Sequence, residues 1–194
     1  MTSSLPLFLA SSSPQRRQLL EQLGLHVAAQ YAPEVDERRF PDECLADYVC
    51  RVTRLKAAAG LRHFDHGCIV AADTAMACDD HVLGKPRDAD DAVAMLMLLS
   101  GRSHQVMTAV AVAGPRGVLD VTVMTTVTFR TLSLPEVEAY WHTGEPVGKA
   151  GSYALQGRGG QFVTRIDGSP SAVVGLPLAE TAALLHQQGL DPLG

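Results

Sequence analysis

Three groups of residues in this sequence have types and spacings that could do chemistry. The first is "LASSSPQRRQLL" (residues 9–20), where three serines, a proline, a glutamine and two arginines join an apolar run to a helix pattern. A turn at a helix start offers unpaired backbone N–H groups and a favourable dipole to an anion. Ser11 can donate its hydroxyl, and Arg16 can fork onto phosphate oxygens. The same stretch also reads as a plain cap, with Ser13 before Pro14 at the first helical position.

The second group centres on Lys56. At about 100° per residue, Leu45, Tyr48, Val49, Val52 and Ala59 form an apolar stripe, and Lys56 falls inside it. A lysine aimed at a core must snorkel out, pair with an acid or meet a ligand anion. The ligand reading is preferred, because a buried unpaired ammonium is costly. The third group is acidic. Asp73 ends the apolar run "CIVAAD" and is followed by Thr74. Ligands gather at the carboxyl ends of strands in α/β sheets, where a carboxylate suits a Mg²⁺ ligand or a general base. A turn or cap role for Asp73 stays open. Asp36 and Glu37, in the acidic loop "PEVDERRFPDE", could supply a second oxygen to the same ion or form a solvated loop.

Common fingerprints are absent. "LGKP" places Lys85 after Gly84, but no Ser or Thr follows it, so it is not a Walker A loop. "GRGG" (157–160) fails G-x-G-x-x-G because position 162 is Phe. No serine has nucleophile-elbow spacing, which leaves metal-assisted attack by water on an anionic substrate.

The bulk properties bound the answer. The chain has 194 residues, 46% hydrophobic and 19% charged, which suits one globular domain, with room for two lobes around a cleft. A net charge of −5 argues against a nucleic-acid polymer as partner. A polyanionic ligand must therefore meet a local cationic site or a metal. Cys44, Cys50, Cys68 and Cys78 show no zinc-type spacing and read as reduced thiols of a cytoplasmic protein. His63, His66 and Cys68 are too few for a structural metal site. The N-terminal apolar stretch is too short for a membrane span, and no basic flank marks it as a signal peptide.

The elements that must carry these residues follow from periodicity and caps. Strands are expected at 7–10, near 26–31 and at 68–73. Helices are expected after Ser13, over about 43–62, from Asp88 to Gly101, from Ser133 with a capping-box Glu136, and over about 177–188. A long hairpin flanks "PRG", and two further strands are expected near 161–166 and 171–175. The pattern is α/β with a mixed twisted sheet flanked by helices.

Taken in order, "LASSSPQRRQLL", "EVDER", "RLKA", "AADT", "LGKP", "LSGRSHQVMTAV" and "GSYALQGRGGQFVTRIDGSPSAVVGLPL" closely resemble the Maf family of nucleoside triphosphate pyrophosphatases, over essentially the whole chain. The resemblance implies an α/β fold around a central nucleotide-binding cleft, as in the related ITPase-like proteins. It implies hydrolysis of a nucleoside triphosphate to monophosphate and pyrophosphate with a divalent cation (Mg²⁺, Mn²⁺ or Co²⁺). By motif, Asp73 matches the catalytic acid, and Ser11, Arg16, Lys56 and Lys85 match phosphate-binding positions. Asp36 or Glu37 matches the acidic-loop carboxylate that shares the metal with Asp73. Family members are often homodimers.

Three positions are diagnostic of base. Thr74 and Gln156 agree with the dTTP/UTP branch, whereas Gln15 agrees with neither that branch nor the 7-methyl-GTP branch. A carboxamide at 156 can match both the N–H and a carbonyl of uracil or thymine. A carboxylate there accepts only. "APEVDE" and "GLDPLG" resemble the 7-methyl-GTP branch, so that substrate is the alternative. A non-catalytic nucleotide-binding regulator of cell division is the other.

Overall fold

The computed structural model describes residues 5–193. Strand β1 (Leu7–Ala10) leads into helix α1 (Pro14–Gln22), followed by β2 (Val27–Tyr31) and the long helix α2 (Leu45–His63). Then come β3 (Cys68–Cys78), β4 (His81–Leu83), α3 (Ala89–Leu99), β5 (Ser103–Gly114) and β6 (Gly117–Phe129). Helix α4 (Leu134–Trp141), β7 (Val163–Asp167), α5 (Pro170–Val174) and α6 (Leu178–Gln188) complete the order. The sheet is mixed, with strand order β2-β1-β3-β5-β6-β7 and β4 paired to β3. β1 runs parallel to β2 and β3, while β4 on β3 and β7 on β6 are antiparallel.

The chain divides into two compact units. The first takes the residues up to Asp73, Thr108–Val123 and the segment from Gly175 onward. Its core joins Phe8, Ala10, Ala57, Ile69, Ala71, Ala111 and Ala113, with Phe64 stacked on Phe8 at 4.1 Å between ring centroids. Small residues let α2 lie close to the strands: a Cβ at Gly60 would sit 2.6 Å from Ile69 Cγ2 and 3.1 Å from Ala10 Cβ. That close approach buries the lysine side of α2 along with its apolar stripe. The second unit, Thr74–Met107 with Met124–Val174, has a larger-residue core that includes Leu96, Leu99, Phe129, Tyr140, Tyr153 and Phe162.

Several expectations need correction. Residues 171–175 were expected as a strand, but Pro170–Val174 is helical. Ser169 is the cause: its Oγ accepts from Ala172 N–H and its carbonyl from Val173 N–H, both at 3.3 Å, so a local cap overrides the β propensity of two valines. The strand expected at 68–73 continues to Cys78 and turns back as β4. The capping box at Ser133 does not close through the serine, which makes no side-chain cap bond, and Glu136 pairs with Arg130.

Candidate functional site

In the first unit, β1 ends at the serine turn. Ser13 caps α1, accepting from Arg16 N–H at 3.4 Å, so the cap reading of this stretch holds. The cap does not use Arg16's side chain. Its Nη1 donates to Ser11 Oγ at 3.0 Å and its Nε to the Gly175 carbonyl at 2.9 Å, which folds the guanidinium back over the turn. Burial pushes Arg16's pKa down, while the charges of Asp73 and Glu37 push it back up. Arg16 therefore lies within the field of both carboxylates. Gln15 accepts from Ser13 Oγ at 3.2 Å.

Lys56 is 7% exposed and Asp73 7% exposed, so neither snorkels to open water. Lys56 Nζ lies 2.7 Å from Asp73 Oδ1 and 3.0 Å from Glu37 Oε1. These carboxylates take two of the three protons an ammonium can donate. Helix α2 also shapes the acidic loop that brings Glu37 in. Tyr48 Oη donates to the Glu37 carbonyl at 3.0 Å, and Arg51 reaches the Arg38 carbonyl at 2.9 Å and the Glu43 carboxylate at 2.6 Å. Desolvation, with help from Asp73 and Glu37, pushes the Tyr48 phenol up. Asp36 turns the other way. Its carboxylate takes Arg38's backbone N–H at 3.0 Å and its guanidinium at 2.7 Å, and the Arg38 hydrogen bonds pull Asp36's pKa down.

Five of the sequence-selected residues thus share one neighbourhood: Ser11, Arg16, Glu37, Lys56 and Asp73. Asp36 does not join them. Thr74, Lys85 and Gln156 belong to the second unit. Lys85 is exposed just after β4, and a Cβ at Gly84 would meet nothing within 4 Å among the described residues. The protein's own packing therefore does not require glycine at 84. His63, His66 and Cys68 are not gathered into one group among the described residues. His63 stacks on Tyr31 at 3.9 Å, and His66 Nδ1 meets Asp65 at 2.6 Å. Among the described residues no group of three or more His, Cys, Asp or Glu could hold a metal ion. Nor is any described helix long and apolar enough to cross a membrane.

Gln156, read from the sequence as a base-specificity residue, is exposed on a turn whose glycines fail the phosphate fingerprint. The structure gives the glycines another cause. Glu145 Oε1 accepts from Tyr140 Oη at 2.7 Å and from Gly159 N–H at 2.9 Å, and its Oε2 accepts from Arg158 N–H at 2.9 Å. A Cβ at Gly157 would lie 2.4 Å from Glu145 Oε2, and one at Gly159 2.6 Å from Tyr140 Oη. Desolvation pushes Glu145 up, but bonds from Tyr140, Gly159 and Arg158 outweigh it and hold the carboxyl below its usual range. Upstream, Tyr153 Oη meets Nε2 of the buried His104 at 2.9 Å. Burial drives His104 down to about 4, so its ring is neutral near pH 7. Sequence reasoning missed Tyr140, Glu145, His104 and Tyr153. The clustered glycines were the one available signal, because close backbone approach is what they permit.

Comparison with known proteins agrees in extent with these features. A model of the family described as "Maf-like protein" matches residues 6–188. The dTTP/UTP pyrophosphatase of Vibrio parahaemolyticus serotype O3:K6 is 49% identical over 188 residues, covering 96% of this chain and 99% of that protein. The dTTP/UTP pyrophosphatase of Vibrio cholerae serotype O1 is 52% identical, covering 93% of this chain and 97% of its own. That of Salmonella typhimurium is 51% identical, with 92% and 91% covered.

Proposed function

The chain belongs to the Maf-like protein family, and from that premise we propose that it hydrolyses dTTP and UTP to the nucleoside monophosphate and pyrophosphate. The observation that carries the reading is the buried lysine held between two carboxylates, one of which lies midway along the central strand β3. A cation fixed there has no role in packing that an apolar side chain would not fill better. It suits a ligand that brings phosphate oxygens to the third proton of its ammonium.

In this reading water attacks the α-phosphorus, pyrophosphate leaves, and Asp73 accepts the proton of the attacking water. Arg16 and Ser11 donate to phosphate oxygens, with Arg16 delivering a planar fork where Lys56 delivers a point charge. Lys85, Thr74, Gln156 and Gln15 take their roles from the family motifs they match: Lys85 toward phosphate, the other three toward the base. Asp73 and Glu37 also fit a Mg²⁺, Mn²⁺ or Co²⁺ ion. They are hard oxygen donors gathered on one cationic nitrogen, and such ions complete their shells from substrate phosphates and water. Asp36, committed to Arg38, does not fit that role. When bound, the ion supplies charge neutralisation on the polyphosphate.

The test is a panel of nucleoside triphosphates, 7-methyl-GTP included, assayed for pyrophosphate release with each of the three metals. Preferential turnover of dTTP and UTP is the expected result. Equal turnover of the whole panel, or preference for 7-methyl-GTP, removes the base assignment, and binding without release removes the catalytic one.

A further inference from the structure

Glu145 is an acceptor-only group wrapped by three donors, and those donors surround the exposed side chain of Gln156 in sequence. Arg158 and Gly159 anchor the C-terminal side of the turn to the carboxylate through their backbone N–H groups. On the N-terminal side, Ala154 N–H donates to Tyr140 Oη at 3.1 Å, and the same hydroxyl donates its proton to Glu145. The turn between them is closed by Gly157 N–H on the Ala154 carbonyl at 3.1 Å. Both ends of the segment 154–159 therefore hang from one phenol–carboxylate pair. The phenol of that pair stands on α4, whose Tyr140 is 3% exposed in the core of the second unit, and Glu145 lies in the turn that follows the helix. A Cβ at Gly157 or Gly159 would collide with Glu145 or Tyr140, so both glycines belong to this close approach.

We infer that Glu145, held by Tyr140, is a positioning residue for base recognition. It fixes the backbone from which Gln156 presents its carboxamide, and touches no substrate itself. The inference rests on the dTTP/UTP reading above. A carboxamide distinguishes bases only if its donor and acceptor stand in register with the base edge, so a loosened turn loses selectivity before it loses chemistry.

The decisive experiment is Glu145→Gln, which keeps shape but turns an N–H₂ donor toward at least one of the three donors. UTP and CTP are compared by kcat and KM, in the wild-type and the Gln156→Ala backgrounds, and folding is followed by thermal unfolding. The expected result is a rise of about tenfold in KM for UTP with little change in kcat, and a matching fall in UTP-over-CTP preference. In the Gln156→Ala background the same substitution is expected to change that preference no further. Tyr140→Phe, which deletes both hydroxyl bonds, is expected to act in the same direction. A Glu145→Gln protein that keeps the wild-type preference overturns the inference. So does one that loses kcat equally on both substrates, or whose effect adds in full to that of Gln156→Ala. A wild type with no preference for UTP fails the parent reading first, before any variant is made, and the inference falls with it.

Discussion

The two units each satisfy a carboxylate, by opposite means. In the first, Asp73 and Glu37 share a lysine. In the second, Glu145 is satisfied by a phenol and two backbone N–H groups. A cationic side chain on a flexible stem can change partners when a stronger anion arrives, and an ion pair leaves charge behind when one member goes. Neutral donors fixed to a backbone cannot move without moving the backbone. The first arrangement is suited to exchanging ligands and protons, the second to holding geometry.

The largest expected effect tests the exchange side. Asp73→Asn still accepts a hydrogen bond from Lys56 but cannot take a proton, so kcat for UTP is expected to fall about 10³-fold. Thermal unfolding run beside the assay is expected to show a folded protein. An activity loss smaller than tenfold would make Asp73 a structural partner of Lys56 only.

Lys56→Met comes next. It removes the shared cation and leaves two carboxylates facing each other, one of them buried. Loss of one member of a buried pair costs about 3 kcal/mol, at the low end because Glu37 is half exposed. Chemical denaturation measures this. If the two carboxylates also form a divalent-ion site, millimolar Mg²⁺ raises the unfolding midpoint more in Lys56→Met than in the wild type. Equal shifts would argue that they do not.

The neutral side breaks differently, by admitting a charge. His104 is 2% exposed, with a folded pKa of about 4 against an ordinary value near 6.5. Protonation thus favours the unfolded chain. Its contribution to stability is fully present above about pH 6.5, is lost as pH falls toward 4, and is flat below; the loss is about 3 kcal/mol. Denaturation midpoints across this window measure it, and His104→Gln is expected to flatten the slope. An unchanged slope would assign the pH dependence to other groups.

What the sequence revealed follows the same division. Lys56 was legible because a helix has a period, and a cation inside an apolar stripe stands out against it. Asp73 was legible because a carboxylate interrupts an otherwise apolar run, although the strand does not end there but continues to Cys78. Ser13 and Pro14 marked their helix by local chemistry alone. The α5 segment was misread because its valines speak for a strand, and only the hydrogen bonds of Ser169 reveal otherwise. Glu145 carried no signal of its own beyond the glycines it faces: it lies in an aperiodic loop, and its partners are mainly backbone groups that any sequence possesses. For the same reason the choice between Asp36 and Glu37 was open, since adjacent loop side chains have no period to assign them a face.

That choice gives the smallest and sharpest comparison. Asp36 and Glu37 are neighbours in one loop, yet Asp36 closes on an exposed Arg38 while Glu37 reaches a buried lysine. Exposed pairs of the first kind contribute little, because solvent screens them and their side chains lose freedom in pairing. Asp36→Asn is therefore expected to leave kcat/KM for UTP within about twofold of wild type. Glu37→Gln keeps a hydrogen bond to Lys56 but removes half the negative charge around it, and is expected to lower kcat/KM by about tenfold or more. Measured at one Mg²⁺ concentration and again at saturation, a loss in Glu37→Gln that shrinks with added metal assigns Glu37 to the cation. A loss that persists assigns it to orienting Lys56. If Asp36→Asn proves the more damaging of the two, Arg38 is holding the loop that delivers Glu37, and the exposed pair belongs to the same network as the buried one.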